Sequence, residues 1–419
     1  MRTNLCAREG NEGGFPMDMA LSDIKVLDLT HGVAGPYCTK MLADYGADVI
    51  KVERPDGGDF TRRLGPFPND IPHSEKSGLF LMLNLNKRGV TLNLKSSMGR
   101  KILLDLVAQV DVVVESFAPR VLEGLDLSYS KLAEINPRII LVSVSNFGQS
   151  GPYRDYKASE MVLYGMGGAL HSKGIPGREP VKYGTNISLN QAGLVAALAT
   201  MTALFARERR GEGEHVDISI FETSAHSRDG RSPDVISAQF VNQVRERRMP
   251  GSTIASGTFP CKDGYIVLGA GGQRLPQAMS MVGQPELMDD PRFSSRTAQM
   301  DPENVVAFNE GILLPWLMQH TMREAWAKAQ EHHIISGPIF SSADLLTDSH
   351  FRDRGMWVEI DHEVAGPFTY PGRPIIMDET PWQIRRPAPQ LGEHNEDVYC
   401  STLGYTREEL ARLPGQGVI

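Results

Sequence analysis

Residues 24–53, with the sequence IKVLDLTHGVAGPYCTKMLADYGADVIKVE, determine the fold class of this chain. They begin with a short apolar run, 24–29, pass through a glycine-bearing turn into a helical segment that includes Met41 and Leu42, and end in a second apolar run, 48–53. A strand, a helix and a second strand in this order predict a βαβ unit with parallel strands. The turn after the first strand would lie at the carboxyl end of the sheet, where open α/β sheets bind their ligands.

The alternation of strands and helices continues to residue 145. Residues 90–94 predict a third strand, and residues 96–110 carry apolar side chains at helical spacing. The apolar runs 111–117 and 139–145 predict two more buried strands. The sequence therefore predicts an α/β fold with a parallel, doubly wound sheet.

Residues 191–210 form the clearest predicted helix. Ser188 and Gln191 resemble a capping box at its start, and Gly211 follows an arginine-rich last turn. Because the helix is apolar on nearly every face, it is expected to be buried.

A second unit is predicted after residue 225, where SAHSRDGRSPDV (224–235) has the composition of a linker. This unit runs to about residue 337, with a strand at 264–269 and helices around 307–320 and 323–331. The proline-rich segment 366–395 lacks strong periodicity, so it is expected to wrap over another domain rather than fold alone.

Composition excludes several classes of function. The net charge of −8 argues against general binding of nucleic acid or anionic membranes, which requires a basic surface. The four cysteines are far apart and form no zinc-finger spacing, so we expect reduced thiols, no metal site and a cytoplasmic protein. Residues 1–20 contain charges and glycines rather than an apolar run and are expected to be a disordered leader, and no membrane span is expected.

Three glycine-bearing turns invite a ligand-binding interpretation. GAGGQR (269–274) has an arginine where a dinucleotide-binding motif needs its third glycine, so a surface loop is favoured. THGVAGPY (30–37) lets backbone N–H groups approach a ligand, but a tight connection between strand and helix explains it equally well. ERPDGGDFTRR (53–63) offers arginines suited to phosphate, with a solvated loop as the alternative.

Taken together and in order, several blocks resemble family III CoA-transferases, the family of formyl-CoA transferase, carnitine CoA-transferase and α-methylacyl-CoA racemase. The blocks include LDLTHGVAGPYCTKMLADYGADVIKVERPDGGD, LNLNKRGVTLNLKSSMGR, VDVVVESFAPRVLEGLDLSYSKLAEINPRIILVSVSNFGQSGPY, ALFARERRGEGEHVDISIFET and PAPQLGEHNEDV. The resemblance implies a large Rossmann-like CoA-binding domain formed by both chain ends (21–225 and 338–419), with a smaller inserted α+β domain (226–337). It also implies an interlocked dimer.

The resemblance further implies contacts with coenzyme A, which would be a substrate, with no other cofactor. His31, Gly32, Val33 and Ala34 would lie beside the thioester or the pantetheine arm. Arg54 would face the nucleotide phosphates, Phe117 the adenine region, and Lys157 would be a further contact.

The nucleophile of the family is missing from this chain. In the family an aspartate attacks the acyl-CoA carbonyl and forms an anhydride and then an enzyme-bound thioester, which is covalent catalysis. Alignment without gaps from Lys157 to Gly193 puts Leu189 at the position of that aspartate. The histidine of the racemase branch falls on Ser159, which disfavours racemisation. Glu160 is the nearest acid, and an orienting or structural role is favoured over a nucleophilic one.

Three hypotheses follow from these residues. The chain is a CoA-transferase subunit that works with a homologous, aspartate-bearing partner, or a self-sufficient transferase that uses Glu160 or direct transfer in a ternary complex. The third is a CoA-thioester binder, lyase or isomerase. The leading prediction is the first, acting on an acyl-CoA and a carboxylic acid, as a homodimer or a heteromer.

Overall fold

The structure is a computed structural model that describes residues 19–226, 231–244, 246, 247, 249 and 251–419. The predicted leader, 1–20, lies outside the described residues except for Met19 and Ala20. The chain divides into two compact units. The first, here called the sheet domain, comprises Met1–Ala169, Lys182–Phe240 and Gly355–Ile419, and the second unit comprises Leu170–Val181 and Val241–Arg354.

The strands of the described residues are numbered in chain order. They are β1 (Lys25–Leu29), β2 (Asp48–Glu53), β3 (Lys87–Thr91), β4 (Val112–Glu115), β5 (Ile140–Ser145), β6 (His215–Ser219), β7 (Ser256–Pro260), β8 (Tyr265–Gly269), β9 (Ile335–Pro338), β10 (Trp357–His362) and β11 (Gly366–Pro371).

The α-helices are numbered in the same way. They are α1 (Ala34–Asp44), α2 (Gly78–Leu83), α3 (Ser97–Val107), α4 (Val121–Gly124), α5 (Tyr129–Ile135), α6 (Glu160–Met166), α7 (Ile187–Arg210), α8 (Ile220–Ala225), α9 (Arg231–Val241), α10 (Leu275–Met281), α11 (Pro302–Phe308), α12 (Leu314–Leu317), α13 (Met322–Glu331), α14 (Ser342–Thr347), α15 (Ser349–Asp353) and α16 (Arg407–Arg412).

A parallel sheet with the strand order β3-β2-β1-β4-β5-β6 forms the centre of the sheet domain. The predicted doubly wound α/β fold is therefore confirmed. The strand order reverses between β1 and β4, and this reversal opens a crevice at the carboxyl ends of the two strands. Strand β6, which was not predicted as a strand, adds a sixth strand to the sheet next to β5.

Alternate residues of the central strands enter two different cores. Val26, Val114 and Val142 face a layer that contains α1 and α7. Leu27 and Val113, which are the intervening residues, face α3 and the C-terminal part of the chain. The sheet is thus covered on both faces, which explains why its strands are almost continuously apolar in sequence.

The end of α7 follows the prediction, but its start does not. Gly211 ends the helix in the left-handed conformation, with a φ of 79°, as a C-terminal glycine does. The predicted capping box is wrong, because Asn186 is the N-cap residue and Ser188 lies within the first turn. The backbone N–H of Ser188 instead donates to the Glu160 carboxylate at 3.3 Å, so a distant side chain takes the place of the local cap.

The prediction that α7 is buried is also wrong for half of its surface. One face packs against α1 through small side chains such as Ala192 and Ala196. The opposite face exposes large apolar side chains, namely Leu194, Leu198, Met201 and Phe205. By length and composition alone this helix could also span a membrane, which was not expected, although core helices of soluble proteins pass the same test.

The second unit contains the antiparallel sheet β7-β8-β9 and a separate apolar core around Ile266, Phe293 and Phe308. The predicted helix at 307–320 is divided among α11, a π-helical turn at Asn309–Leu313 and α12. GAGGQR follows β8 of this antiparallel sheet, so it does not occupy the βαβ context that a dinucleotide site requires. The second unit runs on to Arg354, past the predicted limit at residue 337, and α9 begins within the expected linker, 224–235, and ends beyond it.

The C-terminal segment packs within the sheet domain. The hairpin β10–β11 contributes Ile360 and Tyr370 to a small core with Phe80 and Leu81 of α2. The proline-rich segment after the hairpin lies beside β3, where the N–H of Asn86 donates to the Arg386 carbonyl at 3.1 Å. As predicted, this part of the chain does not fold alone.

Candidate active site

Two turns meet at the carboxyl ends of β1 and β4, where the strand order of the sheet reverses. The backbone N–H of His31, after β1, donates to Ser116 Oγ, after β4, at 2.9 Å. Gly32 has a φ of +86°, and a Cβ there would lie 2.9 Å from the Phe60 ring. A glycine is required at this turn because the backbone is left-handed and the Phe60 ring lies against it.

A cavity of about 580 Å³, here called the central cavity, opens beside these turns. Seven residues named from the sequence line it, and these are His31, Gly32, Val33, Ala34, Phe117, Lys157 and Leu189. The cavity also includes residues after β5 and at the start of α8. The chain thus brings six of the seven predicted CoA contacts to one place, together with the leucine that replaces the aspartate.

Arg54, the remaining predicted contact, lines a second cavity of about 280 Å³, here called the Arg54 cavity. His31 and Phe117 line both cavities, so the two spaces adjoin at these side chains. Residues 92–95, which follow β3, form another wall of the Arg54 cavity. This segment lies within the block LNLNKRGVTLNLKSSMGR, and the sequence predicts no role for it, because none of its residues carries a distinctive chemical signature.

His31 lies above a group of buried charges. Its Nδ1 atom is 4.0 Å from Asp59 Oδ2, and the same carboxylate accepts the Gly32 N–H at 3.2 Å. Lys51 Nζ lies 3.2 Å from Asp59. Burial of the ring, together with the Lys51 charge, lowers the pKa of His31 below its ordinary value, against the opposing effect of Asp59. The ring is therefore neutral at neutral pH and able to accept or donate a hydrogen bond.

Other buried charges near the carboxyl end of the sheet are paired. Lys87 donates to Asp28 at 3.0 Å, to the Pro36 carbonyl at 3.0 Å and to Asn84 at 2.9 Å, which satisfies all three of its protons. Burial opposes ionisation of Asp28, but the nearby lysines and two threonine hydroxyls outweigh it and hold its pKa well below the ordinary range. These pairs fix the turns in place, and single charges inside apolar strands are their only signal in the sequence.

Glu160 does not line either cavity among the described residues. Its carboxylate lies 3.0 Å from Lys182 Nζ and accepts the N–H of Ser188 at 3.3 Å. It begins α6 and, through Ser188, it also satisfies the start of α7. These contacts are those of an orienting side chain, whereas Leu189, one residue beyond Ser188, is the side chain that lines the central cavity. The described residues contain no cluster of His, Cys, Asp and Glu that could hold a metal ion.

Comparison with known proteins agrees with this geometry. The model of CoA-transferase family III matches residues 21–395. The chain is 33% identical to a succinyl-CoA–D-citramalate CoA-transferase of Chloroflexus aurantiacus over 406 residues, covering 95% of this chain and 98% of that protein. It is also 33% identical to a formyl-CoA:oxalate CoA-transferase of Streptomyces avermitilis, covering 96% of this chain and 100% of that protein.

A solved structure leads to the same family. The crystal structure of a CAIB/BAIF family protein from Brucella suis superposes with a TM-score of 0.81 at 29% identity, covering 92% of this chain and 99% of that one. Since the family model covers most of the chain and the relatives span nearly its full length, this chain is a member of CoA-transferase family III.

Proposed function

We propose that this chain takes part in the transfer of CoA between an acyl-CoA thioester and a carboxylic acid. The observation that carries the proposal is the central cavity, which combines six residues expected to contact CoA at the carboxyl end of a parallel sheet. The names of two relatives, a succinyl-CoA–D-citramalate CoA-transferase and a formyl-CoA:oxalate CoA-transferase, support the same class of reaction. They give less support to a CoA-thioester binder, lyase or isomerase.

In this proposal CoA occupies both adjoining cavities. The thioester and the pantetheine arm lie beside His31, Gly32, Val33 and Ala34. Phe117, which lines both cavities, contacts the adenine region, and Arg54 in the Arg54 cavity pairs with the phosphates. Lys157 supplies a further positive charge at the central cavity.

We further propose that a homologous partner chain supplies the nucleophile. Leu189 lines the central cavity where the resemblance expects an aspartate, and a leucine side chain cannot form an anhydride. Glu160 is a weaker alternative, because its carboxylate is paired with Lys182 and lies outside the residues that line the cavity. A self-sufficient reaction through Glu160 would require this pair to separate.

The exposed apolar face of α7 supports association with another chain. Leu194, Leu198, Met201 and Phe205 form a row on a helix whose first turn contributes Leu189 to the central cavity. Monomeric proteins rarely expose so many large apolar side chains together. We infer an interlocked dimer, of two identical chains or of two homologous ones, in the cytoplasm, where the free thiols of Cys38 and Cys261 stay reduced.

Trapping of the covalent intermediate tests the proposal. The purified chain is incubated with an acyl-CoA, treated with borohydride or hydroxylamine, and searched by peptide mass spectrometry for a modified carboxylate. We expect no modified carboxylate in this chain alone, and a modified aspartate on the partner after co-expression with an aspartate-bearing homologue. A label on Glu160 of the chain alone, abolished by Glu160→Gln, would instead establish a self-sufficient transferase.

A further inference from the structure

Two residues that line the central cavity each carry a buried hydrogen-bond donor that has no partner among the described residues. Ser145, at the end of β5, is only 6% exposed, and its Oγ atom is buried without a hydrogen bond. Arg154, in the turn that follows, has a buried Nε atom that also lacks a partner. Buried polar groups in native proteins are nearly always paired, so two unpaired donors in one cavity indicate that a ligand atom completes them.

The groups around the two donors favour a negatively charged ligand. Arg154 makes one long hydrogen bond, at 3.3 Å from Nη2 to the exposed Asp155, which leaves its charge only partly compensated. Lys157 lines the same cavity. Helix α1 begins there as well, and its N-cap residue Val33 makes no side-chain cap hydrogen bond. The N–H groups of Ala34 and Gly35 therefore present the positive end of an eleven-residue helix to the cavity.

The rest of the cavity wall is partly polar, through residues such as Asp155 and Tyr156, and partly apolar. Leu189, Val33 and Ile220 line it without offering a hydrogen bond. A ligand that satisfies both parts has an anionic oxygen pair at one end and carbon at the other. A carboxylic acid has this chemistry, since each carboxylate oxygen accepts from hydroxyl and guanidinium donors.

We propose that Ser145 Oγ and Arg154 Nε bind the carboxylate of the free acid that exchanges CoA. This inference rests on the proposed function, and it assigns the acid to the end of the cavity formed by β5, with the CoA thioester beside His31 after β1. In this arrangement Leu189 contacts the carbon chain of the acid. Ser145 and Arg154 then determine affinity for the acid, whereas Arg54 determines affinity for CoA.

Direct binding of acids to the full-length protein tests the assignment. Acetate and succinate are titrated into the protein saturated with CoA, and binding is followed by calorimetry or by ligand-observed NMR. We expect millimolar or tighter binding to the wild type, and a loss of about tenfold or more in Ser145→Ala and in Arg154→Gln, because each removes a hydrogen bond to a charged group. Ser145→Thr keeps the hydroxyl and should keep most of the affinity.

Three controls separate a binding role from a structural one. Ser280→Ala removes an exposed hydroxyl in the second unit and should change nothing. Each variant should bind CoA as the wild type does and should melt at the same temperature. The ratio of acetyl-CoA to CoA affinity should also stay constant, since a contact from Ser145 to the thioester oxygen rather than to the acid would change this ratio.

The outcomes distinguish this inference from the proposed function. If CoA binds but neither acid does, or if both variants bind the acids like the wild type, the acid site is wrong while the transferase proposal stands. A changed acetyl-CoA ratio with unchanged acid binding would also overturn the assignment and give Ser145 to the thioester. If the acids bind through Ser145 and Arg154 but co-expression with a homologue yields no CoA transfer, the transferase proposal fails and the acid site remains.

Discussion

The Lys51 ammonium nitrogen lies 3.2 Å from a carboxylate oxygen of Asp59, and both side chains are fully buried. Lys51 also donates to the Thr30 carbonyl at 2.7 Å, and Asp59 accepts the N–H of Gly32. Burial opposes ionisation of Asp59, but Lys51 and the hydrogen bonds from Thr61 outweigh it and keep the pKa of the carboxyl below its usual value. The pair therefore holds the turn after β1 in place.

Removal of one partner should destabilise the fold strongly. In Lys51→Met the Asp59 carboxylate stays buried without its opposite charge, which costs about 3–5 kcal/mol of unfolding free energy. Urea denaturation measures the loss, and Lys51→Met combined with Asp59→Asn should recover part of it. The exposed pair of Lys131 and Glu134 is the control, and Lys131→Met should leave the urea midpoint unchanged. Equal effects at the two sites would contradict the role of the buried pair.

Glu115, at the end of β4, should make stability depend on pH. Burial raises the pKa of this carboxyl from 4.5 to about 7, although hydrogen bonds from Ser143 and the Phe117 N–H oppose the change. Between these two pH values the folded chain keeps a proton that the unfolded chain loses. The free energy of unfolding should therefore fall as pH rises from about 4.5 to about 7, by on the order of 3 kcal/mol.

The Glu115→Gln variant tests the pH dependence. Glutamine can still accept the Phe117 N–H, but it carries no charge, so the part of the fall due to Glu115 should disappear. His215, whose pKa burial lowers, contributes in the opposite direction below pH 6.5, and comparing the variant with the wild type cancels this contribution. Ser143→Ala removes a hydrogen bond that favours the ionised form and should extend the fall to higher pH. Parallel pH profiles of the unfolding free energy in the wild type and in Glu115→Gln would refute the prediction.

Arg54 should contribute to CoA affinity without contributing to the fold. It is exposed at the rim of the Arg54 cavity, and among the described residues its side chain donates one long hydrogen bond, at 3.4 Å to the Gly58 carbonyl. Arg54→Ala should weaken CoA binding by about 1.5–3 kcal/mol, the range for a hydrogen bond to a charged group. Calorimetry at low and high salt measures the change in CoA affinity. Arg63→Ala, which removes an arginine bound to Gly57 in the same loop, should bind CoA like the wild type.

Glu160 and Lys182 should behave as one structural unit. Both side chains are mostly buried, and their ion pair supports the starts of α6 and α7. Glu160→Gln and Lys182→Met should each lower the unfolding free energy by about 1–3 kcal/mol. The loss in the double variant should be well below the sum of the two single losses. If Glu160 were a nucleophile, Glu160→Gln would abolish transfer in the partner complex while Lys182→Met left it measurable. Denaturation and transfer assays on the same samples separate the two cases.

The fold could be predicted from the sequence because apolar runs and glycine turns are local signals. The strands at 24–29, 48–53 and 139–145 lie within one residue of the observed strands. The first predicted turn lies at the observed crevice because strand order in a doubly wound sheet follows from chain order. Strand β6 escaped detection because only its last two residues are buried, so its apolar pattern is weak.

The site could be predicted only at positions where a single residue type indicates the function. His31, Phe117 and Lys157 line one cavity, and their contacts with CoA stay a prediction. The unpaired donors Ser145 and Arg154 could not be found from the sequence, because a serine at the end of a strand is ordinary until its hydrogen bonds are known. Burial of α7 was overestimated for a similar reason, since an apolar face has the same sequence whether it meets a core or another chain.

The last prediction concerns that face of α7. Leu198 is 68% exposed in the single chain, at the centre of the row formed with Leu194, Met201 and Phe205. If two chains associate there, the wild type should be dimeric in sedimentation experiments at micromolar concentration. Leu198→Glu would then place a charge in an apolar interface at a cost of about 3 kcal/mol, which raises the dimer dissociation constant by about 150-fold.

Two further variants make this test decisive. Met300→Glu places the same charge on the second unit at a methionine that is 72% exposed, and this variant should remain dimeric. Leu198→Ala removes only apolar contact area and should weaken the dimer less than glutamate does, which guards against a variant that simply fails to fold. Because α7 carries Leu189 at its start, weakening of the dimer should also lower CoA transfer in the partner complex while CoA binding to the separated chain persists. A wild type that stays monomeric, or dimers equally stable in Leu198→Glu and Met300→Glu, would contradict association through this face.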